Sequence, residues 1–110
     1  LAARARGAIH VGPEIGRVDL DVDVVVELVG GSDGPAKRTV EAALRSGKAV
    51  VSANKALIAL HGNEVFARAQ AQGLTVAFEA AVAGGIPVIK TLREALAGNA
   101  VEWLAGIING

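Results

Sequence analysis

The sequence predicts an α/β fold with a mostly parallel sheet, and three observations support this prediction. Short β-branched runs alternate with segments of helical spacing, in the order β-α-β-α-β-α-β. Glycine or proline stands at most junctions between these segments, where turns and helix ends favour them. The first apolar run, 22–29, is nearly unbroken, which is typical of a strand covered on both faces. Together these features favour right-handed crossovers between parallel strands.

The first two strands and the helix between them follow from local signals. Residues 22–29 form the first predicted strand, and a glycine-rich loop follows it. Pro35 predicts the first turn of a helix, because it has no amide hydrogen to leave unpaired there and its φ is already helical. Gly47 suits a left-handed C-cap, and residues 49–53 form the second strand. Helical spacing defines the buried face of this helix as Ala36, Val40, Ala43 and Leu44.

An interrupted helical region is predicted between the second and third strands. Residues 57–60 are expected to form a short apolar turn that Gly62 breaks. Asn63 can cap a new helix over residues 64–72, because its side chain can accept a hydrogen bond from a free amide of the first turn. Gly73 then ends this helix.

The last part of the chain is predicted to add one strand, one helix and one further strand. Residues 74–78 form the third predicted strand, and residues 80–86 form a loop. A helix starts at Pro87 and closes at Gly98, and residues 101–108 form a fourth strand. Helical spacing predicts an inward face made of Val88, Ile89, Leu92, Ala95 and Leu96.

Composition excludes several classes of function. The 110 residues carry 11 basic and 11 acidic side chains, and this balance argues against a nucleic-acid partner. No membrane span is expected, because charged residues interrupt every apolar stretch: Glu27, Lys48, Lys55 and Glu79. The chain has no cysteine, which excludes a disulfide scaffold and favours a cytoplasmic location. It begins at Leu1 and stops after an apolar run, so we interpret it as an internal part of a longer protein.

The unusual residues of the chain concentrate in three loops that follow predicted strands. Ligands of open α/β sheets gather at the carboxyl ends of strands, near helix N-termini. In the first loop, Gly30 and Gly31 would let the backbone approach a ribose or phosphate, although a flexible turn is an alternative. In the second loop, Asn54 and Lys55 can reach a carboxamide or an oxyanion, although Lys55 can equally be a solvated surface residue.

The third loop, 79–87, combines a carboxylate with a glycine-rich apolar turn. Glu79 ends an apolar strand, so its carboxylate needs a cation, an amide cluster or a substrate amine as a partner. One carboxylate with several backbone carbonyls is a ligand set for a hard cation, and a single negative charge suits a monovalent ion. The alternative is that Glu79 caps the helix that follows.

Other polar and aromatic residues are interpreted as structural. His61 has no metal-binding companion nearby, and His10 is distant in sequence. Trp103 is expected in the core, and Arg93 and Glu94 are expected on a solvated helix face.

Four segments resemble the homoserine dehydrogenase family: VDVVVELVGG (22–31), GKAVVSANKALIALHG (47–62), FEAAVAGGIPVIKTLREALAGN (78–99) and GIING (106–110). The resemblance implies a Rossmann-like fold that is incomplete here. Residues 1–98 would be part of an NAD(P)-binding domain without its first strand and phosphate loop. Residues 99–110 would begin the catalytic and dimerisation domain.

The resemblance also implies an activity. Members of the family interconvert L-aspartate 4-semialdehyde and L-homoserine with NADP or NAD, in threonine, methionine and isoleucine biosynthesis. Lys55 matches a family lysine that contacts the cofactor and assists catalysis. A sodium ion would be held by Glu79 and by backbone carbonyls of Val82, Gly84 and Ile86. The full-length protein would be a homo-oligomer, and this chain alone would be inactive.

Two other interpretations stay open. The same sheet could form a non-catalytic nucleotide-binding or assembly module. A related amino-acid reductase, such as an aspartate dehydrogenase, is a third interpretation, but the segment EAAVAGGIP (79–87) argues against it. The choice between NADPH and NADH, and any fusion to an aspartate kinase or a regulatory domain, also stay open.

Overall fold

A computed structural model describes residues 22–84 and 86–106. Its three parallel strands are arranged in the order β1-β2-β3, with β1 at Val24–Glu27, β2 at Ala49–Ser52 and β3 at Val76–Ala77. The strands are joined by two helices, α1 at Pro35–Arg45 and α2 at Lys55–Ala71. The predicted α/β fold with a parallel sheet is therefore confirmed, with strands shorter than predicted.

Both connecting helices pack on the same face of the sheet. Alternate strand residues point towards them, so that Val50 and Val76 are buried and Val25 packs against the same cluster. The core contains apolar residues of both helices and of the sheet, namely Val40, Ala43, Leu44, Val50, Leu57, Val65, Ala69 and Val76. Successive right-handed crossovers in one direction along a sheet place their helices on one side, which explains the arrangement.

The opposite face of the sheet is open in the part of the chain that the structure describes. Val24 is 48% exposed, Val26 58% and Val51 38%. The prediction that the first strand is covered on both faces is therefore wrong for these residues. β1 has more apolar side chains than the described helices cover.

Helix α2 is one continuous helix, and the predicted break at Gly62 is wrong. It starts at Lys55, its N-cap is Asn54 rather than Asn63, and Asn63 is an exposed residue within it. Gly62 is buried, and a Cβ atom added there would lie 3.3 Å from Cε2 of Phe66. The glycine therefore permits close packing and does not end the helix, although it weakens the helix by about 1 kcal/mol relative to alanine.

The segment after β3 departs most from the prediction. A short 3₁₀ turn at Glu79–Ala81 is followed by a one-turn helix, α3, at Val88–Lys90, and by a π-helical turn at Thr91–Ala95. Residues 101–106 contain no regular structure, and residues 107–110 lie outside the described part. The predicted fourth strand is therefore wrong over 101–106.

The predicted inward face of the last helix is only partly buried. Val88, Ile89 and Leu92 are half-buried, whereas Ala95 and Leu96 are exposed. Trp103 is 79% exposed, so its predicted place in the core is wrong for the described chain. Periodicity identifies the apolar face of a helix, but burial also requires an element that packs against this face.

Candidate functional site

The loop after β1 begins with two glycines in left-handed backbone conformation. Gly30 has φ +83° and Gly31 has φ +84°, a region that costs other L-residues about 1–2 kcal/mol. A Cβ atom at Gly30 would meet no atom within 4 Å. The backbone conformation, rather than a lack of space, therefore requires glycine here, and one side of the loop stays accessible to a ligand.

A buried carboxylate holds this loop, and it was not identified from the sequence. Glu27, the last residue of β1, is 1% exposed. Its Oε1 atom accepts hydrogen bonds from the backbone amides of Val29 (2.8 Å) and Gly30 (3.1 Å). Its Oε2 atom accepts one from the hydroxyl of Ser52 (2.9 Å). Glu27 thus connects the first loop to the end of β2.

Asn54 makes a second connection between the first two loops. Its Nδ2 atom donates to the carbonyl of Gly31 (2.7 Å), and its Oδ1 atom accepts from the amide of Leu57 (3.1 Å). Its backbone amide donates to the hydroxyl of Ser52 (3.1 Å). Asn54 is 5% exposed, so the side chain predicted to contact a ligand is largely occupied by the cap and the cross-link.

Lys55 is the first residue of α2 and is exposed to solvent. The first turn of this helix contains no acidic residue. A cation at a helix N-terminus is opposed by the helix dipole, typically by about 0.3–1 kcal/mol. Helix stability therefore does not explain Lys55, whereas a negatively charged or polar ligand at this edge would compensate for the repulsion.

Asp33 and His61 form a hydrogen-bonded pair beside the first loop. Nε2 of His61 lies 3.1 Å from Oδ1 of Asp33, and the hydroxyl of Ser32 donates to Oδ2 of Asp33 (2.9 Å). These hydrogen bonds, that of Ser32 first and that of His61 second, lower the pKa of the Asp33 carboxyl below its usual value. Within residues 22–84 and 86–106, no cluster of three His, Cys, Asp or Glu side chains could hold a metal ion.

The loop after β3 is held differently. Phe78 packs on Phe66 of α2, with ring centroids 4.7 Å apart, and this contact positions the neighbouring Glu79. Glu79 is half-buried, and its Oε1 atom accepts one long hydrogen bond (3.4 Å) from the amide of Lys90. This contact is of the kind that the capping alternative predicts. It also occupies only a small part of the acceptor capacity of the carboxylate.

The predicted cation-binding turn contains a strained residue. Ala83 has φ 53°, and no other non-glycine residue of the described chain has a positive φ. The carbonyl of Ile86 accepts from the amide of Val88 (2.7 Å), whereas those of Val82 and Gly84 accept no backbone hydrogen bond from the described residues. A carboxylate and backbone carbonyl oxygens are the ligand types that a hard cation takes. The predicted residues therefore fit a sodium ion in their donor chemistry.

All three loops leave the same edge of the sheet. The strands are parallel, so their carboxyl ends lie together, and the 3₁₀ turn at Glu79–Ala81 contacts β2. Hydrogen bonds join Gly30, Gly31 and Asn54 into one unit, and Lys55 directly follows it. No hydrogen bond among the described residues joins Glu79 to that unit.

Neither α1 nor α2, the two long helices of the described chain, is long and apolar enough to cross a membrane.

The chain is similar to known homoserine dehydrogenases. Residues 9–79 match the family model described as "Homoserine dehydrogenase, NAD binding domain". A homoserine dehydrogenase of Pseudomonas aeruginosa is 63% identical over 90 residues, which cover 82% of this chain and 20% of that protein. One from Neisseria gonorrhoeae is 60% identical over the same share of both proteins.

A solved structure gives the same result for the fold. The crystal structure of a homoserine dehydrogenase from Thiobacillus denitrificans superposes with a TM-score of 0.70 at 59% identity, covering 74% of this chain and 19% of that chain. The chain thus spans about a fifth of the length of the relatives that it matches.

Proposed function

We propose, from the premise that the chain belongs to the homoserine dehydrogenase family, that it supplies part of the site of an NAD(P)-dependent oxidoreductase. The reaction would interconvert L-aspartate 4-semialdehyde and L-homoserine, in threonine, methionine and isoleucine biosynthesis. Residues 1–98 would belong to the nucleotide-binding domain, and residues 99–110 would lead into the catalytic domain. The work of this chain would be to bind the cofactor and to stabilise charge near the reacting carbonyl.

The observation that carries this proposal is the hydrogen-bonded unit formed by the first two loops. Gly30 and Gly31 expose backbone in a conformation that allows close approach, and Asn54 fixes their position through the carbonyl of Gly31. A ligand that is held by polar backbone groups at the carboxyl edge of a parallel sheet is typical of nucleotide cofactors. We assign cofactor binding to Gly30, Gly31, Asn54 and Lys55.

Lys55 is the proposed catalytic residue. NADPH or NADH, when bound, supplies the hydride that reduces the aldehyde carbon. The aldehyde oxygen then gains negative charge, and the ammonium group of Lys55 would stabilise it by a few kcal/mol in a water-poor site. The exposed position of Lys55 at the start of α2 leaves its ammonium group free to reach this oxygen.

The third loop is the proposed sodium site. Glu79 would supply the carboxylate, and Val82, Gly84 and Ile86 would supply backbone carbonyls. The strain at Ala83 supports this proposal, because strained backbone is retained where the surrounding structure or a ligand compensates for it. The ion would fix the loop relative to β3 and would not touch the reacting atoms.

The proposed setting follows from the family. The full-length protein would be a cytoplasmic homo-oligomer that acts on small molecules, with neither nucleic acid nor membrane as a partner. The balanced charge and the absence of cysteine support this setting.

The test is the variant Lys55→Ala in the full-length protein that carries this sequence. We expect kcat/KM for L-homoserine oxidation, followed by the absorbance of the reduced nicotinamide, to fall at least tenfold, which is a loss of about 1.4 kcal/mol of transition-state stabilisation. Arg45→Ala is the control, because Arg45 is an exposed cation in the last turn of α1, beside Glu41. A fall of less than tenfold for Lys55→Ala, or an equal fall for the control, would remove Lys55 from the mechanism.

A further inference from the structure

We infer that Glu27 is a positioning residue for the cofactor, an inference that rests on the proposed function. Its buried carboxylate joins the Gly30–Gly31 loop to the end of β2 through hydrogen bonds with Gly30 and Ser52. The two cofactor-binding segments, Gly30–Gly31 and Asn54–Lys55, therefore keep one fixed spacing before any ligand binds.

The burial of Glu27 has no explanation in packing. The inward positions that precede this strand end are occupied by Val25 and Val50, and the residue directly opposite Glu27 is Ser52, so a polar pair ends an otherwise apolar face at a cost in desolvation. Among the described residues no lysine, arginine or histidine pairs with Glu27. Two backbone amides and one hydroxyl compensate for the buried charge instead.

These donors form part of a closed ring of hydrogen bonds. Glu27 accepts from Gly30 and from Ser52, Ser52 accepts from the amide of Asn54, and Asn54 donates to the carbonyl of Gly31. Ser52 lies directly opposite Glu27 in the parallel register, so the ring spans the two strand ends. The peptide bond between Gly30 and Gly31 and the backbone of Asn54 close the ring, and a buried hydrogen-bonded network of this kind restricts the motion of its members.

Side-chain packing does not hold the two glycines of the loop. Gly30 has open space where a side chain would be, and Gly31 has only the carbonyl of Asp33 at 4.0 Å. Two successive glycines have the largest backbone freedom of any residue pair. Hydrogen bonds to Glu27 and Asn54 therefore determine where the loop backbone lies, and this position determines how a cofactor meets Lys55.

The experiment compares Glu27→Ala with Glu27→Gln in the full-length protein. A glutamine keeps the shape and one oxygen that can accept from the amides of Val29 and Gly30, so it retains most of the ring. We expect Glu27→Ala to raise the Kd of NADPH or NADH, measured by calorimetry, at least tenfold, and Glu27→Gln to raise it less than threefold. The KM for L-homoserine should rise much less than the KM for the cofactor. Glu64→Ala, an exposed carboxylate on α2, is the control and should leave both unchanged.

The outcomes separate this inference from the proposed function. If the wild-type protein binds neither nucleotide, the proposed function fails, and the inference fails with it. If the wild-type protein binds the cofactor and folded Glu27→Ala binds it with the same Kd, only the inference is overturned. If Glu27→Ala does not fold, Ser52→Ala breaks the ring at its next link, and an unchanged Kd in that variant is equally decisive.

Discussion

The loops after β1 and β2 and the loop after β3 leave the same edge of the sheet, but different forces hold them. Side-chain hydrogen bonds from Glu27 and Asn54 join the first two loops to each other. Among the described residues, the side chain of Glu79 in the third loop makes one long hydrogen bond, with the amide of Lys90, and the loop contains the strained residue Ala83. Internal hydrogen bonds thus hold the first two loops without a ligand. The third loop has oxygen acceptors that a cation would satisfy.

This difference separates a preorganised site from a site that a ligand would complete. A site that is built from internal hydrogen bonds bears the ordering cost during folding, so that a ligand meets a fixed surface. A site whose oxygens lack partners keeps part of that cost until an ion binds. The proposed cofactor-binding segments are of the first kind. The proposed sodium loop is of the second kind.

The largest expected effect on stability comes from Asn54→Ala. This change removes the N-cap of α2 and the cross-link to Gly31, and it leaves buried polar groups without partners. We expect the free energy of unfolding to fall by about 2–3 kcal/mol, measured by chemical denaturation. Asn63→Ala is the matched control, because Asn63 is exposed within the same helix. It should change stability by less than about 0.5 kcal/mol, or increase it, since alanine favours helix. Equal losses for both variants would contradict the cap assigned to Asn54.

The ends of the first helix show what the sequence could predict. Pro35 and Gly47 mark these ends through their own backbone preferences, and Gly47 indeed has φ 71°. Such signals depend only on neighbouring residues. The alternation of strands and helices is of the same kind, and the parallel α/β fold was predictable for this reason.

Gly62 and Glu27 show what the sequence could not predict. Gly62 lies within the helix, and Phe66 packs on it. The sequence alone does not distinguish a glycine that breaks a helix from a glycine that permits close packing. Glu27 interrupts an apolar run, and its partner Ser52 is 25 residues away in the chain. A charged residue inside an otherwise apolar predicted strand was the available signal for this pair.

A smaller effect is expected from relieving the strain in the third loop. Ala83→Gly removes the side-chain penalty of φ 53°, about 1–2 kcal/mol, but adds the entropy cost of glycine, about 0.5–1 kcal/mol. We therefore expect stability to be unchanged or to rise by up to about 1 kcal/mol. The same substitution at Ala67, an exposed position within α2, should lower stability by about 1 kcal/mol. Thermal and chemical denaturation of both variants would measure the difference, and a similar loss at both positions would show that Ala83 is not strained.

The smallest effect concerns the carboxyl of Asp33, which is hydrogen-bonded to Ser32 and His61 beside the first loop. The pKa of Asp33 is lowered in the folded state, first by Ser32 and second by His61, so the ionised carboxylate stabilises the fold. This contribution is fully present above the usual aspartate pKa of about 3.9 and is lost as the pH falls through the lower folded value. Asp33 is fully exposed, so solvent and salt screen the effect.

The melting temperatures of the wild-type protein and of Asp33→Asn, measured as a function of pH, test this contribution of the Asp33 carboxylate. The wild-type protein should be slightly more stable at pH values above about 4, and the two curves should converge below it. Ser32→Ala should reduce the separation, because it removes the hydrogen bond that lowers the Asp33 pKa most. Curves that stay parallel through the acidic range would show that this carboxylate contributes no pH-dependent stability. The first loop would then be held only by the internal ring, and its contrast with the third loop would rest on Glu27 and Asn54 alone.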